Sequence, residues 1–267
     1  MLTTRYVPGS PNWADLATPD IEGAKTFYGG VLGWNHVPAG PEFGGYGMFQ
    51  SNGKTVAGVM QLPAETVPLS WTLYFQTADA TATSTAVKDN GGTVVNEPMD
   101  VEDLGRMTLC ADPAGAAFAT WQPGTNTGLE ATDTPGTLCW AELYTPDVDA
   151  AVGFYGCVFG WETTTMPMPG GGGGGDYVMV HPAGKGPDGM FAGVVANRPD
   201  TGLGATGPNW LLYFGTADCD AAVAASDRLG GTTVQEPTDI EGVGRFAVLT
   251  DPYGARLAVM QGASQDT

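Results

Sequence analysis

Positive charge is scarce in this chain: ten Lys and Arg stand against 29 Asp and Glu, a formal net charge of −19. Such a surplus repels phosphate backbones and anionic headgroups within the screening length, which excludes nucleic acid and membrane surfaces as partners. The carboxylates alone name no ligand, because acidic surfaces commonly serve solubility. Histidine is scarcer still, with two residues, His36 and His181. Cysteine is confined to Cys110, Cys139, Cys157 and Cys219, far apart and without a C-x-x-C pair. Neither a zinc knuckle nor a disulfide framework is signalled, and the four thiols read as buried small apolar groups. No apolar run reaches the roughly 18 residues that a membrane helix needs. The segment Met1-Leu2-Thr3-Thr4-Arg5-Tyr6 has no basic stretch followed by an apolar one, and a soluble cytoplasmic protein is expected.

What the chain does have is a repeat. Residues 11–34, PNWADLATPDIEGAKTFYGGVLGW, align without a gap to residues 138–161, LCWAELYTPDVDAAVGFYGCVFGW. WTLYFQTAD (71–79) returns as WLLYFGTAD (210–218), and Gly91-Gly92 through Gly115 return as Gly230-Gly231 through Gly254. The second copy is longer, and its surplus falls to loops: the glycine run 170–175 and the GKGPDG or RPDTGLGATGPN stretches. No helix or Lys-Ser/Thr follows the glycine run, so it reads as a flexible turn rather than a phosphate cradle.

Within each copy the pattern alternates between periods. Asn12–Ala17 reads as a strand, Thr18 as a helix N-cap with Pro19 at the first helical position, and Ile21, Ala24, Phe27, Tyr28 and Val31 as the buried stripe of a helix that Gly33 stops. Strands are expected at 34–38, 45–50 and 55–61, then a strand at 71–77, a helix at 79–90, and strands at 93–97, 106–111 and 116–122. The order is βαβββ, twice per copy. This predicts an α+β fold: a tandem duplicated domain, each copy two βαβββ units forming a cup-shaped mixed sheet. The first domain is expected over 1–123, a polar linker over 124–135 and the second domain over 136–267, with each half able to fold alone.

These features carry a resemblance. The helix ending F-Y-x-x-V-x-G-W (Phe27, Tyr28, Val31, Gly33, Trp34; Phe154, Tyr155, Val158, Gly160, Trp161) and the D-P-x-G turn (Asp112 to Gly115; Asp251 to Gly254) resemble the glyoxalase, bleomycin-resistance and extradiol-dioxygenase superfamily, or vicinal oxygen chelate fold. The E-P-x-D-x-x-x-x-G-R string (Glu97 to Arg106; Glu236 to Arg245) is similar to a two-domain actinobacterial glyoxalase-like branch. The resemblance implies a metal position on the first, fifth and eighth strands of a copy. Those positions hold Trp13, Thr72 and Ala119, then Trp140, Leu211 and Ala258, so no metal and no cofactor is expected.

Residues two apart on a strand share a face. If Trp13 faces the cup, so does Asp15; in the second copy Trp140, Glu142 and Tyr144 follow. The same logic puts Tyr46 and Met48 with Tyr177, Met179 and His181, and adds Tyr74, Gln76 and Trp121, then Tyr213, Arg256 and Met260. Trp71, Trp210, Phe75 and Phe214 take the other face as core. Arg106 and Arg245 are expected to tie down their acidic loops. Trp13 and Trp140 could instead plug a vacated metal position, and Asp15 and Glu142 could pair with an arginine such as Arg256. Two functions stay open. One is metal-independent binding of a small, largely aromatic metabolite or antibiotic, for sequestration or carriage. The other is a metal-independent tailoring step or accessory role in natural-product (polyketide) biosynthesis, with Asp15 or Glu142 as the catalytic base. A metal-dependent glyoxalase or dioxygenase would need ligands that these positions lack. The expected partner is thus a small aromatic molecule, taken up by a monomer or homodimer.

Overall fold

A computed structural model describes residues 2–63, 70–167, 176–197 and 207–263. The glycine run 170–175 and most of the RPDTGLGATGPN stretch lie outside the described residues, while GKGPDG contains a short 3-10 turn, Pro187–Gly189. The first copy runs β1 (Pro11–Thr18), α1 (Ile21–Leu32), β2 (Asn35–Pro38), β3 (Gly47–Ser51), β4 (Lys54–Gln61), β5 (Trp71–Gln76), α2 (Ala80–Asp89), β6 (Thr93–Val101), β7 (Gly105–Ala111) and β8 (Ala117–Pro123). The second runs β9 (Leu138–Thr145), α3 (Val148–Phe159), β10 (Glu162–Pro167), β11 (Asp176–His181), β12 (Ala192–Ala196), β13 (Asn209–Gly215), α4 (Cys219–Arg228), β14 (Thr232–Ile240), β15 (Gly244–Thr250) and β16 (Arg256–Gly262). Each copy contributes one mixed eight-stranded sheet, of order β2-β3-β4-β1-β5-β8-β7-β6 and β10-β11-β12-β9-β13-β16-β15-β14. The α+β tandem duplication read from the repeat is the architecture observed.

The helix starts differ from the reading. Asp20, not Thr18, caps α1: its Oδ1 accepts the Gly23 N–H at 3.1 Å, and Pro19 lies outside the helix. Thr18 instead donates from Oγ1 to the Asp20 carbonyl at 3.3 Å, closing the turn that presents the cap. Asp79, Asp147 and Asp218 repeat the device at the other three helices. A carboxylate fits here because it accepts the orphan N–H and faces the positive end of the helix dipole. At the other end Gly33 adopts φ +73°, a left-handed geometry that only glycine takes without strain, and its N–H returns to the Gly29 carbonyl. Strand β6 is longer than expected, passing through Pro98 to Val101. It lies at a sheet edge, and register shifts on either side of Asn96 accommodate the proline's missing donor.

The units of packing are not the units of sequence. One compact unit comprises Met1–Trp13, Thr72–Gly128 and Ala141–Trp210; the other comprises Ala14–Trp71, Leu129–Trp140 and Leu211–Thr267. Each therefore joins half of one copy to half of the other. In the second unit α1 buries Ala24, Phe27, Tyr28, Val31 and Leu32, and it packs on α4, where a side chain at Gly30 would strike Leu229. In the first unit α2 packs on α3, and a side chain at Gly92 would strike Phe154. A buried hydrogen-bond relay recurs in both. Trp71 Nε1 donates to the Tyr28 hydroxyl at 3.2 Å, which donates to Asp251 Oδ2 at 3.1 Å. Trp210 Nε1 donates to the Tyr155 hydroxyl at 3.1 Å, which donates to Asp112 Oδ2 at 3.3 Å. The remaining oxygen of each aspartate accepts two backbone N–H groups, one within its own D-P-x-G turn and one from the residue that follows it. Burial raises both carboxyls above the ordinary Asp range and holds both phenols well above theirs.

The tryptophans that close the two F-Y-x-x-V-x-G-W motifs also reach across copies: Trp34 Nε1 donates to the Gly136 carbonyl and Trp161 Nε1 to the Gly9 carbonyl, each at 2.7 Å. Trp71, Phe75, Trp210 and Phe214 are buried among these rings, as strand parity required. The segment expected as a polar linker makes fixed contacts too. Leu129 is buried, and Glu130 exchanges backbone and carboxylate hydrogen bonds with Thr55. Among the cysteines, Cys110 and Cys219 are buried, but Cys157 is exposed. It falls off the α3 stripe of Ala151, Phe154 and Tyr155 and is not the core residue expected.

Candidate ligand-binding site

In the second copy, three neighbouring strands bring one row of residues together. Glu142 on β9 registers with Gly193 on β12, and Gly193 with Met179 on β11. Tyr177, two residues before Met179, shares its face. A side chain at Gly193 would collide with the Tyr177 ring and hydroxyl, so the bare glycine lets that ring lie across the neighbouring strand. Its hydroxyl then donates to Glu142 Oε1 at 2.8 Å, while Tyr144, two residues along β9, donates to Oε2 at 2.7 Å. Both carboxylate oxygens thus hold a phenol proton, the strong class of hydrogen bond in which the acceptor carries charge.

The first copy repeats the row with weaker chemistry. Asp15 on β1 registers with Gly58 on β4, and Gly58 with Met48 on β3; Tyr46 lies over Gly58 and reaches Asp15 Oδ2 at 3.4 Å. The position of Tyr144 is taken by Ala17. Exposure differs too. Trp13 and Asp15 are buried at 6% and 5% exposure, whereas Trp140 and Glu142 are half-buried.

The other candidates fall into two rows. Gln76 registers with Trp121 and Tyr74 with Ala119, and the Trp121 indole is fixed by a 2.9 Å bond to the Asn126 carbonyl. Tyr213 registers with Ala258, and Met260 with Gly215. Antiparallel pairing adds two residues that the reading of single strands missed: Met107 opposite Trp121, and Phe246 opposite Met260, with the Phe246 and Tyr213 rings 6.0 Å apart. His181 and Arg256 lie at the ends of their strands. His181 ends β11 opposite Glu162, buried, with Nδ1 3.2 Å from the Pro182 carbonyl and 3.7 Å from Glu162 Oε2. Arg256 begins β16 opposite Thr250. The loop arginines behave as expected: Arg245 binds Asp220 and Asp239, which raises its pKa further, and Arg106 lies 3.5 Å from Asp100.

The positions that the superfamily uses for metal do not fit one here. An indole, a hydroxyl and a methyl in the first copy, and an indole, an isobutyl and a methyl in the second, do not amount to the several N, O or S donors that a divalent ion takes at about 2 Å. Among the described residues, no group of three or more His, Cys, Asp or Glu is placed to hold a metal ion, and no helix is long and apolar enough to cross a membrane.

Residues 10–120 match the family model for the glyoxalase/bleomycin resistance protein/dioxygenase superfamily, and residues 140–260 match that for a glyoxalase-like domain. The chain belongs to this superfamily. Among curated relatives, anthracycline biosynthesis protein DauV of Streptomyces sp. (strain C5) is 38% identical over 281 residues, covering 97% of this chain and 95% of that protein. Putative glyoxylase CFP32 of Mycobacterium tuberculosis is 37% identical over 270 residues, covering 98% of each. Among solved superfamily structures, the 2,3-dioxygenase LapB from Pseudomonas sp. KL28 aligns with a TM-score of 0.62 at 15% identity, covering 97% of this chain and 94% of that one. The Mn(II)-bound glyoxalase from Novosphingobium aromaticivorans aligns at 0.62 and 16%, covering 97% and 85%. At such identities the structural likeness establishes the fold of the superfamily and nothing about this chain's reaction.

Proposed function

We propose that the chain binds a small, largely aromatic metabolite without a metal ion, in a carrier or sequestering role, on the sheet face that carries the tyrosine–carboxylate rows. The observation that carries this reading is the construction of those rows: the hydroxyl end of a tyrosine lies over a glycine, two residues from a methionine, with a carboxylate at its hydroxyl. Aromatic and thioether surface suits a planar ring, and one polar group fixes its orientation. Relatives named for anthracycline biosynthesis support an aromatic polyketide as the class of ligand. Trp140, half-buried on β9 two residues before Glu142, would report it. A planar quinone should quench tryptophan emission saturably in protein dialysed against chelator, and Trp140→Ala should weaken that affinity by about 3- to 10-fold, the range of one stacked contact. Unchanged affinity in that variant would remove the assignment.

A second reading, a tailoring step with Asp15 or Glu142 as proton acceptor, draws on the phenol contacts around Glu142. A carboxylate in hydrogen-bond reach of phenols can pass a proton between them and a bound substrate. Under that reading Glu142→Gln should keep substrate affinity and lose turnover.

A further inference from the structure

The segment ahead of each copy's first strand is duplicated too. Residues 2–10, LTTRYVPGS, match residues 129–137, LEATDTPGT. In both, the leucine is buried, the glycine carbonyl accepts a tryptophan indole, and the last hydroxyl bonds back to the residue three positions before it. The chemistry on this common frame differs, because Arg5 stands where the linker has Thr132. The strand connection beside it differs as well. Asn52-Gly53 alone joins β3 to β4, and Glu130 bonds directly to Thr55. Residues 182–191, with the GKGPDG stretch among them, join β11 to β12, and between this connection and the N-terminal segment lies a cavity of about 460 Å³.

We infer that this cavity is a second binding site, separate from the tyrosine–carboxylate rows, and that its ligand is a small organic anion with an apolar body and a single carboxylate. Its volume lies within the range of about 300–1,000 Å³ usual for small-molecule sites. Leu2 and Phe191, both buried, supply apolar floor, with Pro11 and Pro182 beside them. Arg5 on one wall and Lys185 on the other bring two of the chain's ten cations to one cavity, against the single carboxylate of Asp188. A guanidinium and an ammonium on separate elements suit the two oxygens of one carboxylate, in charge-assisted hydrogen bonds. Asp188 and the net charge of −19 disfavour a more highly charged anion, and a neutral ring leaves both cations unused. The frames that carry the two cations are already fixed: the Lys185 N–H bonds to the Pro182 carbonyl at 3.1 Å, the Gly184 N–H to Glu162 Oε2 at 3.3 Å, and the Val7 N–H to Ser10 Oγ at 3.0 Å. Binding therefore has little backbone left to order.

The test titrates the full-length protein calorimetrically with 2-naphthoate and with the neutral 2-naphthamide, at low salt and about pH 7, where the naphthoate is ionised. The two share one ring system and differ in charge. Naphthoate should bind at least about ten-fold more tightly, the scale of a hydrogen bond to a charged group. Arg5 and Lys185 are exposed, so Arg5→Gln and Lys185→Gln should keep the parent melting temperature. Each should weaken naphthoate by about three-fold or more, the scale of one exposed ion pair, and leave naphthamide unmoved. Lys25→Gln removes the same charge from α1 and should change neither affinity. Equal affinities for the two compounds in the parent protein, or binding of neither, would overturn the inference. So would a preference that either cavity variant leaves untouched, or one that Lys25→Gln lowers as much, since the field of the whole chain would then be its source. Each of these results leaves the quinone reading in place, because Glu142, Tyr144, Tyr177, Asp15 and Tyr46 do not line this cavity.

Discussion

At the scale of single residues, the motif tyrosines and aspartates form buried hydrogen bonds between the copies. Tyr28, Tyr155, Asp112 and Asp251 were legible as signature residues, and so was the resemblance they carry. That each tyrosine donates a hydrogen bond to the aspartate of the other copy was not, because no local pattern encodes a contact between residues 28 and 251. Asp251 also gives a pH signature. Desolvation raises its folded carboxyl above the unfolded value, so the folded state holds that proton more tightly. The contribution is therefore fully present below the unfolded pKa and is lost as pH rises through the folded one. Asp251→Asn removes this titration. The stability gap between parent and variant, measured by urea unfolding, should be larger near pH 4 than near pH 7. A gap that widens as pH rises would mean that the carboxylate is stabilised in the fold, against the burial seen here.

At the scale of elements, alternation along β9 and β11 was enough to place Glu142, Tyr144, Tyr177 and Met179 on one face, since period two is local. Met107 and Phe246 escaped because they join the rows through antiparallel pairing, and register between strands is not written in either strand alone. His181 was placed by the same alternation, but at the end of β11 its ring turns to Pro182 and Glu162. Gly193 and Gly58 were silent in the sequence, where a glycine in a strand signals only a bulge or a close approach. Here it is a close approach, and it can be tested. Gly193→Ala puts a methyl group where the Tyr177 ring lies, so the ring must move off Glu142. Overpacking of this kind costs about 1–3 kcal/mol. Thermal melting should register that loss, with weaker quinone binding alongside it. A variant with parent stability and parent affinity would show that the ring does not occupy that space.

At the scale of the whole molecule, the repeat was read correctly as two copies, but the expectation that each half folds by itself follows from sequence units, and packing here is organised otherwise. Each packing unit draws strands and a helix from both copies, and the Tyr28–Asp251, Tyr155–Asp112, Trp34–Gly136 and Trp161–Gly9 bonds all join one copy to the other. A fragment ending near Gly124, or one beginning near Thr134, would expose the faces of its helices and strip buried polar groups of their partners, at about 1–3 kcal/mol for each group. Neither fragment alone should show a cooperative thermal transition, whereas an equimolar mixture should recover one. Cooperative melting of each fragment in isolation would restore the sequence halves as folding units. The central claim is binding of an aromatic ligand without metal, and calorimetric titration of chelator-treated protein with 2,6-dihydroxyanthraquinone tests it most directly. The account predicts saturable binding at one site per chain, with a negative heat-capacity change from apolar burial and the same affinity after divalent ions are added back. Binding that appears only once about one metal ion per chain has been restored would contradict it.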